Sequence, residues 1–399
     1  ELVEGLSKKI PKNVVITGTN GKTTAARMLS NFAKVSELRV IRNHTGSNLE
    51  RGIASTIISN ARLEGANVFH PPGGLTWHLS FDLGIWELDE AAFNTVAPKI
   101  KPDIVVFLNV FRDQLDRYGE VDTVVKNWCQ TLKSLPKDTV VLVNGDDANT
   151  AKLAGCFQGK VEKFGVSEYK IIGEALEHQK SFGPHDFEAK NVKLNGLKES
   201  RFQVLTTNYQ LPTILPLPGI YHIYDFLAAF AAGEKLGFKT KKMISSLKNY
   251  SPAFGRVEKL DFGYIFLIKN PAGATQVFET IAPQIKSQDR LLLALNDNLA
   301  DGTDISWIWD GEFEKLRTTN YELRTICSGT RAYDLANRLK YAGFDPKDII
   351  VEPRLENALK QAKKGLKGWL FILPTYTAML ELQRILAKSG LKKHYWEEE

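Results

Sequence analysis

Short runs of β-branched and apolar residues alternate with helix-like stretches along most of this chain, and that alternation constrains the fold more than any other feature. Runs at Val14–Thr17, Leu38–Ile41, Leu83–Leu88, Asp103–Asn109 and Thr139–Val143 predict a mostly parallel sheet covered by helices. After the first run, Ala25, Met28, Leu29, Phe32 and Ala33 form the stripe of an amphipathic helix. The pattern changes between Gly155 and Thr207, where runs at Lys160–Phe164, Phe187–Leu194 and Phe202–Leu205 are separated by turn residues such as Gly183-Pro184 and Asn195-Gly196. This predicts a small antiparallel insert over 155–207. Helices are expected over Tyr221–Leu236, closed by Gly237, and over Thr240–Asn249. A second alternation then sets strands at Tyr264–Ile268, Arg290–Leu295, Leu323–Cys327, Asp348–Val351 and Gly368–Leu373. The expected division is 1–258 and 259–399, both α/β, the second Rossmann-like.

Length agrees: 399 residues at ~150 per domain give two or three domains. With 43% hydrophobic and 25% charged residues the chain is a globular protein, not a disordered one. A net charge of +6 is mild and, on its own, gives no support to nucleic-acid binding. The three cysteines, Cys129, Cys156 and Cys327, are far apart and odd in number. They read as packed core thiols rather than a disulfide framework or metal site, which suggests a reducing cytoplasm. Glu1–Lys12 lacks the apolar stretch of a signal peptide. The longest charge-poor segment, Leu211–Gly233, is interrupted by Pro212, Pro216, Pro218 and Asp225, so membrane contact is expected to be peripheral at most. Histidines are scattered and read as surface residues, His222 excepted.

The segment Val14-Val15-Ile16-Thr17-Gly18-Thr19-Asn20-Gly21-Lys22-Thr23-Thr24 places a glycine turn between the first strand and its helix. Glycines let backbone N–H groups approach phosphate oxygens, the helix N-terminus adds positive potential, Lys22 supplies a charge and Thr23 a hydroxyl for Mg²⁺. The match to G-x-x-x-x-G-K-[ST] is partial, because Ile16 stands at the first glycine position and Gly18 lies inside the loop. Mg²⁺ bound to phosphate needs one or two carboxylates besides. Glu87, at the end of Leu83-Gly84-Ile85-Trp86, is placed for that role, with a solvated loop as the alternative for it and for Asp89 and Glu90. The further acidic cluster Asp113, Asp116, Glu120 and Asp122, with Arg112 and Arg117, reads mainly as surface ion pairing.

At Gly18-Thr19-Asn20-Gly21-Lys22-Thr23 the chain resembles the Mur ligase superfamily, ATP-dependent enzymes that join an amine to a carboxylate through an acyl phosphate. Glu87-Leu88-Asp89-Glu90, the stretch from Asn109 to Glu120, Gly255-Arg256 and Lys269-Asn270-Pro271-Ala272-Gly273 extend the match. Two features make the chain similar to one branch of that superfamily, the ligase-like subunits of a lipid II-amidating synthase. The phosphate loop begins near the start of the chain, leaving no room for a preceding sugar-nucleotide domain. The string from Asn296 to Asp310 (NDNLADGTDISWIWD) is similar to the signature of that branch's C-terminal domain.

The resemblance implies ATP and Mg²⁺ as cofactors, a lipid II substrate, a GatD-like class I glutaminase as partner, and a location at the cytoplasmic face of the membrane. It assigns Gly18, Thr19, Asn20, Gly21, Lys22, Thr23 and Thr24 to the phosphates, Thr23 and Glu87 to Mg²⁺, and Arg256, Asn270, His222 and Asp225 to nucleotide contacts. Lys269 would flank the nucleotide beside Asn270. Asp304 would complete, in trans, the Cys-His pair of the glutaminase; the alternative is that it caps a helix near Ser306, with Asp301 and Asp310 as neighbouring candidates. Trp307, Trp309 and Phe313 would serve either an interface or the core. The departures are three. The region from Gly183 to Arg201 has no cysteines for the zinc ribbon of many relatives, so no zinc is expected; His222 and Asp225 stand where the family has asparagines; and Gly65–Ser80 reads as a loop insertion. Competing readings are an autonomous amino-acid ligase and an ATP-binding scaffold for the glutaminase.

Overall fold

The computed structural model describes residues 2–43, 47–64, 76–111, 121–167, 183–250, 257–317 and 322–390. Gly255 and Arg256, the stretch 112–120 with Asp113, Asp116 and Glu120, and most of the expected loop insertion lie outside the described residues.

The strands in chain order are β1 Lys12–Thr17, β2 Val40–Arg42, β3 Arg62–Glu64, β4 Thr76–His78, β5 Leu83–Leu88, β6 Ile104–Phe107, β7 Val140–Asn144, β8 Lys160–Val166, β9 Phe187–Asn195, β10 Glu199–Leu205 and β11 Gln210–Leu215. Apart from the β3–β4 pair they form one sheet of nine, ordered β11-β10-β9-β8-β7-β6-β1-β5-β2. Pairing is parallel from β2 through to β9 and antiparallel only for β9–β10 and β10–β11. The expected antiparallel insert over 155–207 is therefore corrected: β8 continues the parallel ladder beside β7, β9 continues it beside β8, and only the last two strands fold back. The physical reason is that Phe164, Phe187 and Ala189 bury against the same helices as β1, which a separate lobe would leave exposed.

Side chains alternating along β1 divide the first half of the chain into two cores. Val14 and Ile16 point to helices Lys22–Val35 and Ile220–Lys235. Val15 points to the opposite layer, with Phe93, Trp128 and Leu132 from helices Glu90–Ile100 and Val121–Ser134. Burial on both faces is why the strands read as continuous apolar runs. In the same opposite layer Cys129 and Cys156 form a disulfide, with Cα atoms 5.2 Å apart. This corrects the core-thiol reading of that pair and removes the cysteine count as support for a reducing compartment. Packing on one side of the sheet joins two residues separated by 27 positions. Cys327 is the buried thiol.

The second half holds β12 Glu258–Leu260, β13 Gly263–Ile265, β14 Arg290–Ala294, β15 Thr325–Ser328, β16 Ile349–Val351 and β17 Leu370–Pro374. Their order is β12-β13-β17-β14-β15-β16, parallel except for β12–β13. Helices Pro271–Ile281 and Ala332–Tyr341 cover one face and Leu355–Lys363 and Tyr376–Lys388 the other. Among the described residues no helix is long and apolar enough to cross a membrane.

Candidate functional site: a glycine loop facing a second domain

The loop after β1 turns because Gly21 sits at φ 90°, in the left-handed region that glycine adopts at little cost. A Cβ at Gly21 would stand 2.0 Å from Asp225 Oδ1, so glycine is also required by close packing. Helix Lys22–Val35 starts there, aiming its N-terminal N–H groups and positive dipole end into the loop. Lys22 Nζ donates to the Gly18 carbonyl and, at 3.2 Å, to that of Thr19, and lies 3.9 Å from the Glu90 carboxylate. The ammonium is thereby held over the loop.

Thr23 and Glu87 meet: Thr23 Oγ1 donates to Glu87 Oε2 at 2.7 Å. Glu87 is the penultimate residue of β5, beside β1, and is buried. Its backbone is clamped by Asn43, whose side chain donates to Glu87 O at 2.9 Å and accepts from Glu87 N at 2.8 Å. Arg42 approaches the Glu87 carboxylate at 3.9 Å. A buried carboxylate touching a helix-N-terminal hydroxyl beside a glycine loop is the donor set that Mg²⁺–triphosphate takes: two hard oxygens, with phosphates and waters filling the rest. The residues fit the ion and the nucleotide. The alternative of a solvated loop does not hold for Asp89 and Glu90. Both are buried, and Asp89 caps helix Glu90–Ile100 by accepting from Ala92 N.

Asn20 is held from both sides. Asn109 Oδ1 accepts from Asn20 N at 2.8 Å and Asn109 Nδ2 donates to Asn20 O at 3.1 Å. From the second half of the chain, Asn270 pairs with Asn20 in a reciprocal amide contact, Nδ2 to Oδ1 at 3.2 and 3.1 Å. Asn270 also caps helix Pro271–Ile281 by accepting from Gly273 N, and its neighbour Lys269 donates to Thr19 O at 3.2 Å. The segment after β13 thus reaches the glycine loop directly. His222 and Asp225, on the first turns of helix Ile220–Lys235, line the same cleft as Asn20, Gly21, Thr24 and Lys269. His222 Nδ1 lies 2.6 Å from the Pro218 carbonyl.

Sequence reasoning brought Gly18, Thr19, Asn20, Gly21, Lys22, Thr23, Thr24, Glu87, Asn270, His222 and Asp225 to one place, and the structure assembles them there. Asp304 is elsewhere. It is exposed beyond β14, and its Oδ1 accepts from Ser306 N at 2.8 Å, which closes a turn one residue ahead of Ile305, the cap position of the 3₁₀ helix Ser306–Trp309, where no side chain caps. Phe313 is buried core, Trp307 packs against that core and Trp309 is 49% exposed.

Asn43 and Asn109 were missed; a lone asparagine after a strand carries no pattern that announces a backbone clamp. A buried group behind the cleft was missed too. Asp146 accepts from Tyr224 Oη at 2.8 Å and Val166 N at 2.7 Å, and His185 Nε2 lies 3.0 Å from its other oxygen. The surface reading of His185 is corrected, since its side chain is 1% exposed. Gly145 and Gly165 make room for the ring: a Cβ at Gly165 would stand 2.2 Å from His185 Nε2. Burial, reinforced by the Asp146 charge, holds the Tyr224 phenol well above its ordinary range, so it remains a neutral donor. Among the described residues no cluster of three His, Cys, Asp or Glu is arranged to hold a metal.

A strand, a glycine loop closed by Lys22 and Thr23, an acid on the next strand and a second α/β sheet reaching back to the loop define the architecture of an ATP-dependent ligase of the Mur type. The Mur ligase middle domain matches residues 16–233 and the MurT ligase C-terminal domain matches residues 267–379. The chain belongs to the Mur ligase family, in its MurT branch. The subunit MurT of lipid II isoglutaminyl synthase (glutamine-hydrolyzing) from Streptococcus pneumoniae is 30% identical over 97% of this chain and 89% of that protein. The corresponding subunit of Staphylococcus aureus strain COL is 27% identical over 98% and 90%. In fold, the chain is similar to MurF from Acinetobacter baumannii, with TM-score 0.72, 15% identity and coverage of 98% of this chain and 79% of that one. It is likewise similar to Mycobacterium tuberculosis folylpolyglutamate synthase complexed with ADP and AMPPCP, with TM-score 0.68, 14% identity and coverage of 98% and 93%.

Proposed function

We propose that the chain is the amidating subunit of a glutamine-dependent complex acting on lipid II at the cytoplasmic face of the membrane. In this reading the α-carboxylate of the stem-peptide D-glutamate attacks the γ-phosphorus of ATP and ADP departs. Ammonia then attacks the acyl carbon and phosphate leaves, giving D-isoglutamine. The observation that carries the reading is the Thr23–Glu87 contact at the mouth of the glycine loop.

The chain's residues would divide the work by position. Backbone N–H groups of Gly18 to Lys22 and the Lys22 ammonium would cradle the β- and γ-phosphates, and Asn20 would orient the γ-phosphoryl group. Such fixed dipoles and charges stabilise charge spreading over phosphate oxygens, with no covalent attachment to the protein. Thr23 and Glu87 would hold Mg²⁺, which supplies charge neutralisation when bound. Arg256, Lys269 and Asn270 would contact nucleotide or acyl phosphate from the hinge and second domain, and His222 and Asp225 would face the nucleotide from the helix opposite.

Ammonia is mostly ammonium near neutral pH, so a GatD-like class I glutaminase that releases it locally fits the chemistry. Asp304, exposed on the second domain, would orient the partner's catalytic histidine and stabilise its imidazolium.

The test is amidation of lipid II by the purified chain with ATP and ammonium, then with the glutaminase and glutamine. Amidation supports the reading, transfer of an amino acid instead supports an autonomous ligase, and ATP binding without turnover supports a scaffold. Lys22→Ala should abolish turnover with either nitrogen source, a loss of several kcal/mol in transition-state stabilisation, on the order of 10³-fold. Wild-type rates in that variant would refute the loop's role.

A further inference from the structure

The loop that follows β14 and carries Asp304 is fastened to the second domain by Thr330 at Asn296 and Asp297, by Arg338 at Ile308 and, nearest Asp304 on its N-terminal side, at Asp301. At Asp301 the anchor is Thr377, on the first turn of helix Tyr376–Lys388. The Thr377 hydroxyl donates to Asp301 Oδ2 and accepts from Asn298 Nδ2 at 2.8 Å and Asn296 Nδ2 at 3.0 Å. A hydroxyl has one proton and two lone pairs, so this one is saturated. Thr377 N donates to Asp301 Oδ1 at 2.8 Å, which sets the Asp301 carboxylate on the positive end of the helix. Asp301 is only 7% exposed, whereas Leu299 two residues earlier is 81% exposed.

Just past this clamp Gly302, at φ 90°, turns the chain outward to Thr303 and Asp304. Asp304 then closes its own turn on Ser306 N. The path from clamp to exposed carboxylate is three residues long, too short to decouple the two.

We propose that Asp301 and Thr377 are positioning residues that fix the Asp304 carboxylate for the partner's histidine. This rests on the reading of Asp304 given above. The clamp lies in the second domain, between the loop after β14 and helix Tyr376–Lys388, and none of the contacts described for the glycine loop passes through it, so it bears on nitrogen supply and not on carboxylate activation.

The test uses Asp301→Asn, Thr377→Val and Thr377→Ser in the reconstituted complex, with Asp304→Asn as reference. Glutamine-supported amidation should fall about 10-fold or more in Asp301→Asn and Thr377→Val, because catalytic orientation is lost with shifts of about 1 Å. Ammonium-supported amidation by the same variants should stay within about twofold, and Thr377→Ser, which keeps the hydroxyl, should restore the glutamine-supported rate. In the isolated chain, amide hydrogen exchange at 302–306 should accelerate in the first two variants while β14 and β17 keep their protection.

Three results overturn the proposal. Unchanged glutamine-supported rates in Asp301→Asn and Thr377→Val, with Asp304→Asn inactive, sink the clamp alone. Equal loss with ammonium and glutamine marks a merely structural role. Full glutamine-supported activity in Asp304→Asn removes the reading of Asp304 and the clamp with it.

Discussion

Thr23 Oγ1 and Glu87 Oε2 stand 2.7 Å apart across the ends of two adjacent parallel strands, one leading into the helix that begins beside the glycine loop. The contact joins a hydroxyl at a positive helix terminus to a buried carboxylate, and Asn43 fixes the carboxylate's backbone on both sides.

Glu87→Gln should therefore raise the Mg²⁺ concentration needed for half-maximal turnover and lower the maximal rate. Asn43→Ala, which removes bonds to the Glu87 backbone and to the Ser47 carbonyl but none to the Glu87 carboxylate, should weaken the same metal dependence by about 10-fold, the usual effect of removing an outer support. A magnesium titration of the ATPase or ligase rate checks both; an unshifted midpoint in Glu87→Gln refutes the assignment.

The Asn20–Asn270 pair makes the two halves of the chain thermodynamically dependent. Asn20→Ala, Asn270→Ala and the double variant form a cycle in which the effects on ATP affinity should be non-additive, with a coupling of about 0.5–3 kcal/mol. Calorimetry measures it. Strict additivity would mean that the two amides act separately.

Gly21→Ala places a methyl against the Asp225 carboxylate in a left-handed conformation. Strain of about 1–3 kcal/mol is expected from the conformation alone, before the clash. A lower Tm and at least a tenfold loss of ATP affinity, on the order of 1.4 kcal/mol, should follow. Wild-type values for both would rule out the loop geometry described.

Thiol titration tests the disulfide and the core. Burial pushes the Cys327 thiol up to about 12, so the native chain should show no reactive thiol at pH 8 among Cys129, Cys156 and Cys327. Denaturation without reductant should release one thiol, Cys327, and denaturation with reductant all three. Three thiols without reductant would refute the Cys129–Cys156 bond.

Glu162, buried on β8, gives a pH prediction. Burial opposes its charge, but bonds from Lys160 and Lys235 outweigh it and hold the carboxyl below its ordinary 4.5. A depressed acid stabilises the fold above its unfolded value, and that contribution is lost as pH falls through the lower folded value. Glu162→Gln should therefore lower Tm at pH 7 and flatten the Tm–pH curve below about pH 4.5. An unchanged acid limb would contradict the pairing.

The parallel sheets, the two-part division of strands and the glycine loop were legible because each leaves a periodic or glycine-marked trace. Val14 to Ile16 could hardly be anything but a doubly buried strand. The insert was misread because turn residues at Asn195-Gly196 report only a local hairpin, whereas the parallel pairing of β8 with β7 is set by distant packing of Phe164 and Phe187. The disulfide and the buried His185 escaped for the same reason: nothing near Cys129 or His185 in sequence records what the sheet brings beside them. Asp304 was legible as a polar residue ahead of a helix near Ser306, and the structure shows it exposed and closing a turn on Ser306 N, one residue before the cap position.

The first sheet also stops itself. At one margin β2 has only three residues, and at the other β11 carries Pro212, which has no N–H to offer a neighbouring strand. Neither border is a good template for strand addition, so a companion molecule is steered away from prolonging this sheet and toward meeting the chain through its side chains.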